Sequence, residues 1–435
     1  MKIFHYPSAT ADKKMKSIVG RAIDFRKADV RAVTRMLDDV KKNGDTAVVT
    51  YGRQFDCPAL TADTLHVTPE EIASAKKKVD QTFIRALDRA ATQVEQFHRQ
   101  QLPKSWIDTR RPGTLLGQMV HPVDAAGIYV PGARGGDTPL VSSVLMGAIP
   151  AKIAGVSRVV MATPPMPSGE ISPYLLVAAE KVGVDAVYKM GSAWAIGALA
   201  YGTGTILPVN VIVGPGNIYV TLAKKIVSGT VGIDMIAGPS EILILADDTA
   251  IPAFTAADLL SQAEHDPLAS AVLITPSLKL ARRVKAEVEN QVALLSRSDI
   301  AKKSLGAFGA IMVVDDLETA IALANQIAPE HLELQVADPM ALVPRLRNAG
   351  AVFLGNYTPE PVGDYVAGPN HVLPTAGTAR FSSALSVDHF IKKTSLLRYS
   401  EEAFIEESQD IMTLATVEGL TGHANAIRVR LPEKN

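Results

Sequence analysis

The stretch Val211-Ile-Val-Gly-Pro-Gly-Asn217, which leads into the amphipathic segment Ile218 to Val227, carries the pattern that decides the fold. Its apolar β-branched residues predict a short buried strand, its glycines and proline predict a tight turn, and the following segment predicts a helix. A second strand-to-turn junction reads Gly127-Ile-Tyr-Val-Pro-Gly132. Repeated units of strand, turn and helix are typical of βαβ structure and of a parallel sheet.

The same alternation continues over the middle of the chain, from about Ala125 to Arg380. The predicted strands are Gly127 to Val130, Arg158 to Ala162, Ala186 to Met190, Val209 to Val213, Ile242 to Ala246, Ala271 to Thr275, Ala310 to Val314, His331 to Val336 and Ala351 to Leu354. One small sheet cannot hold this number of strands. We predict an α/β fold with two incomplete Rossmann-like domains, 125–236 and 237–380, a helical N-terminal region, 1–124, and a helical tail, 381–435.

Composition narrows the class of protein. Hydrophobic residues make up 47% of the 435 residues and charged residues 20%, which is typical of a globular protein. Lysine plus arginine (44) nearly balances aspartate plus glutamate (45), so nucleic acid and anionic membranes are poor partners. The N-terminus has no apolar signal core, and we expect a cytoplasmic protein. The single Cys57 excludes an intramolecular disulfide and a multi-cysteine metal site.

An acid and a base stand side by side in Pro329-Glu-His331. The preceding segment, Leu317 to Ile327, has helical spacing, Pro329 ends it, and the residues from His331 onward alternate like a strand. Glu330 and His331 therefore occupy a corner between two rigid elements, which suits proton transfer near neutral pH. The alternative is a solvated pair of polar residues.

Further nitrogen and oxygen donors are spread over the second half of the chain. Gln262 and His265 lie three residues apart on a predicted helix and share a face, while Asp364 lies in a Gly/Pro-rich loop. Glu418 and His423 form a last cluster near the C-terminus. Amide, imidazole and carboxylate donors fit zinc, but the spacing also fits an ordinary solvated helix face.

The two glycine-containing junctions allow a second kind of site. Glycines where a strand meets a helix let backbone amides approach a phosphate or a ribose, and the helix N-terminus favours negative charge. Neither junction has the G-x-G-x-x-G spacing, so each is also compatible with a purely structural turn.

Taken together, these motifs resemble the histidinol dehydrogenase family, from about residue 30 to residue 430. The stretches that carry the resemblance are Gly127 to Gly132, Val213-Gly-Pro-Gly-Asn217, Ile233-Asp-Met-Ile-Ala-Gly-Pro-Ser-Glu241, Ser261-Gln-Ala-Glu-His265, Ala328-Pro-Glu-His-Leu-Glu333, Gly368-Pro-Asn-His-Val-Leu-Pro374 and Glu418-Gly-Leu-Thr-Gly-His423. The resemblance implies a zinc-dependent homodimer that oxidises L-histidinol through the aldehyde to L-histidine with two NAD, in the last steps of histidine biosynthesis.

The resemblance also implies roles for individual residues. Glu330 would activate water at the aldehyde stage, and His331 would take the alcohol proton. Zinc would be held by Gln262, His265, Asp364 and, through a tail swapped between subunits, by His423 of the other copy. The expected substrate contacts are Ser240, His331, His371, Glu418 and the four zinc ligands. The expected NAD contacts are Tyr129, Trp194 and Asn217.

The chain departs from the family pattern at two places near the expected cofactor site. Gly191-Ser-Ala-Trp194 stands where the family commonly has Gly-Gly-Ala-Gln, and the loop Pro131 to Asp137 carries Arg134 in place of a simple Pro-Gly-Gly turn. Trp194 either stacks on the cofactor or fills a core.

Two other functions stay open from the sequence. One is a related zinc- and NAD-dependent dehydrogenase of another primary alcohol, such as a sulfonated diol, although Glu418 argues against an anionic substrate. The other is a metal- or nucleotide-binding protein without catalysis, against which the adjacent acid and base argue.

Overall fold

The computed structural model describes residues 1–21, 25–132 and 138–432. The chain forms two compact units. The first comprises Met1–Gln101 and Val123–Phe390, and the second comprises Leu102–Pro122 and Ile391–Asn435. Within the described ranges, no helix combines the length and apolar character needed to cross a membrane.

The described residues of the two units form fourteen strands and sixteen α-helices. The strands are β1 (Ile3–His5), β2 (Trp106–Asp108), β3 (Thr114–Pro122), β4 (Ala125–Tyr129), β5 (Arg158–Thr163), β6 (Ala186–Lys189), β7 (Val211–Val213), β8 (Gly232–Ile233), β9 (Glu241–Ala246), β10 (Ser270–Thr275), β11 (Ala310–Val313), β12 (His331–Gln335), β13 (Ala351–Leu354) and β14 (Ile391–Tyr399). The helices are α1 (Ala9–Val19), α2 (Lys27–Asn43), α3 (Asp45–Phe55), α4 (Pro69–Lys76), α5 (Gln81–Arg99), α6 (Val141–Ala154), α7 (Pro173–Lys181), α8 (Ser192–Tyr201), α9 (Ile218–Val227), α10 (Pro252–Ala263), α11 (Leu278–Val292), α12 (Ser298–Phe308), α13 (Leu317–Ile327), α14 (Glu360–Tyr365), α15 (Glu401–Val417) and α16 (Thr421–Arg428).

The first sheet has five parallel strands in the order β6-β5-β4-β7-β8. It is buried on both faces, since Ile128 and Met161 belong to the core on one side and Tyr129 and Ala162 to the core on the other. Parallel sheets need such double cover. The strand order reverses between β4 and β7, and open α/β sheets bind their ligands at the carboxyl ends of the strands next to such a reversal.

The second sheet has six parallel strands in the order β1-β11-β10-β9-β12-β13. Its five later strands repeat the order of the first sheet, which confirms the predicted α/β fold with two parallel sheets. Strand β1 adds a sixth strand that the sequence did not predict, in a region predicted to be helical. Three residues are too few to show periodicity, and this strand forms only because β11 pairs with it, at Phe4 opposite Met312.

The second unit contains an antiparallel sheet in the order β14-β3-β2, together with α15 and α16. Strand β14 pairs with β3 over nine residues, with Thr394 opposite Met119. The prediction that strands end at Arg380 and that the tail is helical was therefore wrong for Ile391–Tyr399. This strand carries Lys392-Lys-Thr-Ser395 and is mostly exposed, so it lacks the apolar alternation of a half-buried strand. The prediction of a helical region up to residue 124 was likewise wrong for β2 and β3.

Candidate active site

The site starts at the amino ends of two neighbouring strands, β9 and β12, which lie side by side with His331 opposite Ile242. Helix α13 ends at Ile327, Ala328 takes a left-handed backbone conformation (φ 53°), and Pro329 leads into Glu330. Gly350 holds this corner closely, because its N–H donates to the Pro329 carbonyl and a Cβ there would come within 2.6 Å of the Glu330 carbonyl oxygen. The predicted helix-to-strand corner is confirmed.

Glu330 is buried, so the alternative of a solvated Glu-His pair was wrong. Its Oε2 accepts a hydrogen bond of 2.9 Å from the backbone N–H of Glu241. Burial raises the pKa of Glu330 well above its ordinary value, and the nearby carboxylates of Glu241, Glu360 and Asp364 act in the same direction. A carboxyl group with a raised pKa is suited to accepting and releasing a proton near neutral pH.

His331 is also buried, and its two ring nitrogens have different surroundings. Nδ1 lies 3.0 Å from the backbone carbonyl of Glu241 and donates its proton to that oxygen. Nε2 is buried without a hydrogen-bond partner among the described residues, and it lies 3.9 Å from Oε1 of Glu360. Burial lowers the pKa of His331. The ring is thus neutral, with a free lone pair at Nε2 that can accept a proton.

Glu360, which the sequence analysis missed, stands at the start of α14 and is buried. Its Oε2 accepts a hydrogen bond of 3.1 Å from Ser261 Oγ. One donor atom each from Glu360, His331 and Asp364 lies within 4.8 Å of the others, which is close enough to hold a metal ion. The sequence feature that could have identified Glu360 is its spacing of four residues from Asp364, but this segment was predicted to be a loop. It is a short helix, and the spacing puts both carboxylates on one face.

Asp364, which is half-buried, adds a further carboxyl group to this cluster. Burial raises its pKa to about 7, the Glu360 carboxylate adds to the shift, and His331 opposes it. Mutual repulsion between buried carboxylates is costly, and a divalent cation bound among them would relieve it.

Gln262 and His265 come from the end of α10, which packs beside β9 and β10. Gln262 is buried, and its Oε1 has no hydrogen-bond partner among the described residues. His265 lies just beyond the helix, which ends at Ala263, and not on it as predicted. The His265 ring is close enough to Glu360 to lower the pKa of that carboxyl, although burial raises it more. An amide oxygen without a partner, an imidazole and a carboxylate are the donor types that zinc binds.

A cavity of about 510 Å³ brings candidates from both sheets together. Its lining includes Asn217, at the carboxyl edge of the first sheet, with Ser240 and His265, at the amino edge of the second. Arg21 also lines the cavity, and it forms an ion pair with Glu241. Asn217 begins α9, where its Oδ1 accepts the backbone N–H groups of two following residues at 3.0 and 3.2 Å. The strand order of the first sheet places Asn217 where α/β proteins bind ligands.

His371 lies beside Asp364 in a second cavity of about 120 Å³. Its Nε2 is 3.0 Å from Ser142 Oγ. Burial lowers the pKa of His371 to about 4, so the imidazole is neutral at pH 7 and can exchange hydrogen bonds with a neutral partner.

Tyr129 and Trp194 lie at the carboxyl edge of the first sheet, inside its core. The Tyr129 hydroxyl accepts the Ser192 backbone N–H at 2.9 Å. Trp194 is 3% exposed and stacks between Tyr51 and Phe55, with ring centroids 5.8 and 5.5 Å away. The Trp194 ring therefore fills the core, which is one of the two roles that were predicted for it from the sequence. Arg134 and the rest of 133–137 lie outside the described residues.

Comparison with known proteins places this geometry in a family. The family model for histidinol dehydrogenase matches residues 21–431. The chain belongs to the histidinol dehydrogenase family. Histidinol dehydrogenase of Desulfotalea psychrophila is 56% identical over 400 residues (92% of each chain), and that of Syntrophotalea carbinolica is 49% identical over 433 residues (100% of each). The crystal structure of histidinol dehydrogenase from Elizabethkingia anophelis superposes with a TM-score of 0.92 at 37% identity, covering 99% of this chain and 98% of that one.

Membership of the histidinol dehydrogenase family confirms the predicted family and its class of enzyme, an oxidoreductase. Two residues expected from the resemblance lie in the second unit. Glu418 follows α15, and His423 lies on α16. Both side chains are exposed in the single chain. Their roles toward zinc and substrate stay predictions.

Proposed function

We propose that this chain oxidises L-histidinol through L-histidinal to L-histidine, with zinc and two NAD, in the last steps of histidine biosynthesis in the cytoplasm. The observation that carries the proposal is the free Nε2 of His331, which is buried close to the Glu360 and Asp364 carboxylates. Oε1 of Gln262 is likewise buried without a partner among the described residues. A protein that only binds a metal or a nucleotide has no need of a proton acceptor in this position.

We assign zinc to Gln262, His265 and Asp364, with His423 contributed by a second copy of the chain. Bound zinc would supply Lewis-acid polarisation of the substrate oxygen, and NAD would accept the hydride. The partnerless Gln262 Oε1 and the raised pKa of Asp364 support the assignment, because both are relieved by a bound cation. Glu360 would lie next to His265 and orient it, as carboxylates beside metal-bound histidines do.

In the first oxidation, His331 takes the proton of the primary alcohol at Nε2 as hydride leaves the carbon. The second ring proton stays on Nδ1 and is donated to the Glu241 carbonyl, which keeps the lone pair on Nε2. Glu330 then removes a proton from water as the water oxygen bonds to the aldehyde carbon. The resulting hydrate anion would give its remaining carbon-bound hydrogen as hydride to the second NAD, and the carboxylic acid that forms would then lose a proton to give the carboxylate.

The remaining contacts would orient the substrate. Ser240, His371 and the zinc ligands would contact the reacting end, and Glu418 would meet the cationic amine of histidinol by charge attraction. Asn217 and Tyr129 are proposed to contact NAD at the edge where β4 and β7 end, with Trp194 supporting that site from the core.

The composite site requires a homodimer with swapped tails. Leu397, Leu414 and Val417 of the second unit are 71%, 66% and 82% exposed in the single chain. These residues lie on β14 and α15. Large apolar side chains that stay exposed in the single chain are typical of an interface between copies.

Formation of NADH from a panel of primary alcohols tests the proposal, with and without a strong chelator. We expect NADH from L-histidinol, its loss on chelation, and its return with zinc. Full activity of metal-free protein contradicts the zinc assignment, and a preference for another alcohol contradicts the substrate.

A further inference from the structure

Asp56, at the end of α3, lies over the carboxyl ends of β5 and β6 in the first sheet. Its Oδ2 and Oδ1 are 3.2 and 3.5 Å from the point that a Cβ on Gly191 would occupy, and Pro164 is 2.9 Å from the same point. Pro164 follows β5, and Gly191 follows β6. The carboxylate therefore lies where the second and third strands of the Rossmann-like order end.

This position has a defined role in dinucleotide-binding sheets. An acidic side chain after the second strand accepts hydrogen bonds from the adenosine ribose of NAD. In this chain the second strand, β5, is followed by Pro164 and Pro165, which carry no carboxylate. Asp56 brings an acid to the same place from a helix outside the sheet.

Two polar groups near the start of α8 have no hydrogen-bond partner in the part of the chain that the structure describes. Oδ2 of Asp56 is buried without a hydrogen bond among the described residues, and so is Nε1 of Trp194, in the first turn of α8. Unsatisfied buried acceptors and donors are uncommon and point to a missing ligand group. A ribose hydroxyl can donate to the carboxylate, and a sugar oxygen can accept from an indole N–H.

An exposed aromatic ring adjoins these groups. Phe55 precedes Asp56, stacks on Trp194 at 5.5 Å, and is 54% exposed. A flat, exposed ring supported from behind is a surface on which a planar base can pack. The Asp56 carboxylate and the Trp194 indole N–H can bind the ribose of a nucleoside, and the Phe55 ring can pack against its base.

We propose that Asp56 binds the adenosine ribose of NAD and rejects NADP. This assignment rests on the NAD dependence proposed above and names the residue that selects between the two cofactors. The carboxylate accepts the ribose hydroxyl of NAD. In NADP a dianionic phosphate replaces that hydroxyl, and it would lie against a partly buried carboxylate in a medium that screens charge poorly.

The competing role for Asp56 is structural. The Gly191 backbone N–H faces the Asp56 carboxylate, so the alternative is that Asp56 only holds the start of α8. Asp56→Asn keeps the size of the side chain and an acceptor oxygen, and it removes only the charge. Asp56→Glu keeps the charge. Asp63→Asn, at an exposed position, is the matched control.

Burial raises the pKa of Asp56 to about 7. Calorimetric titration with ADP-ribose and with 2′-phospho-ADP-ribose at about pH 8, where the carboxyl is mostly ionised, tests the proposal without histidinol, zinc or turnover. We expect the wild type and Asp63→Asn to bind ADP-ribose at least about tenfold more tightly than its phosphate, a like-charge penalty of ordinary size. Asp56→Asn should bring the two affinities to within about threefold of each other, and Asp56→Glu should retain most of the preference.

Each outcome decides the proposal. A wild type that binds both ligands equally or binds neither contradicts it. An Asp56→Asn variant in which both affinities fall by the same factor shows that Asp56 only caps α8. If circular dichroism shows that Asp56→Asn is unfolded, the preference of the wild type for ADP-ribose and its retention in Asp56→Glu still decide between the two roles of Asp56. Failure of the proposed function gives a different result. In that case ADP-ribose still binds more tightly than its phosphate, but L-histidinol yields no NADH.

Discussion

The backbone carbonyl of Glu241 lies 3.0 Å from Nδ1 of His331. The N–H of Glu241 donates to Glu330 Oε2 at 2.9 Å, so the first residue of β9 holds both the base and the acid. The Glu241 side chain pairs with Arg21, from the N-terminal segment. Both side chains are thereby held by backbone atoms of an adjacent strand.

Glu330→Gln and His331→Asn should fail at different stages. If His331 serves the alcohol and Glu330 the water, the glutamine variant loses acid formation more severely than the first oxidation, by about 10²-fold or more. Single-turnover NADH and histidine are measured for each variant. Equal losses at both stages would remove the division of labour.

The pH profile of kcat/KM should have an acid limb set by His331. Protonation at Nε2 occupies the lone pair, so activity falls as pH decreases through the pKa of the ring. Burial lowers that pKa, and the limb should therefore lie below the ordinary value of 6.5. A limb above pH 6.5, or one that persists unchanged in His331→Asn, would assign the base elsewhere.

Glu360→Gln should weaken zinc binding. The variant keeps the shape of the side chain and an oxygen for Ser261, but it loses the negative charge beside His265 and Asp364. Changes next to metal ligands typically cost about 10–100-fold in affinity. Competition with a chromogenic chelator measures the affinity, with the exposed Glu289→Gln on α11 as control. Unchanged zinc affinity would show that Glu360 serves only to position the site.

Co-expression of His265→Ala with His423→Ala tests the shared site. Each variant alone should be nearly inactive. In a mixed dimer, the chain with His423→Ala keeps its own His265 and receives an intact His423, so one of two sites is whole. With random pairing, about a quarter of all sites should recover. Mixed dimers, confirmed by mass, that stay as inactive as the single variants would place His423 within its own chain.

The fold was predictable where pattern and burial agree. The strands around Val211–Val213 and the corner at Glu330 have the periodicity of their elements, and both were found. Strand β1 is too short for a pattern, and β14 is polar because little of it is buried in the chain, so both were missed. Their pairing is decided by distant partners, Val313 and Met119 among them, which local sequence does not specify.

The site was predictable from motifs and less so from local structure. Gln262 and Asp364 were expected from the resemblance, and the structure adds physical reasons in an unsatisfied amide and a raised pKa. Glu360 was missed because Pro359 and Pro361 on either side of it suggested a loop. Asp56 was missed because it reaches the first sheet from a helix far away in sequence, and only the folded chain shows its neighbours.

The stoichiometry of the reaction tests the central claim most directly. Zinc-loaded protein is given limiting L-histidinol and excess NAD, and NADH and histidine are quantified at completion. Two NADH and one histidine for each L-histidinol are expected, with no release of free histidinal. One NADH with accumulating aldehyde would limit the chain to the alcohol step, and no NADH would contradict the proposed function itself.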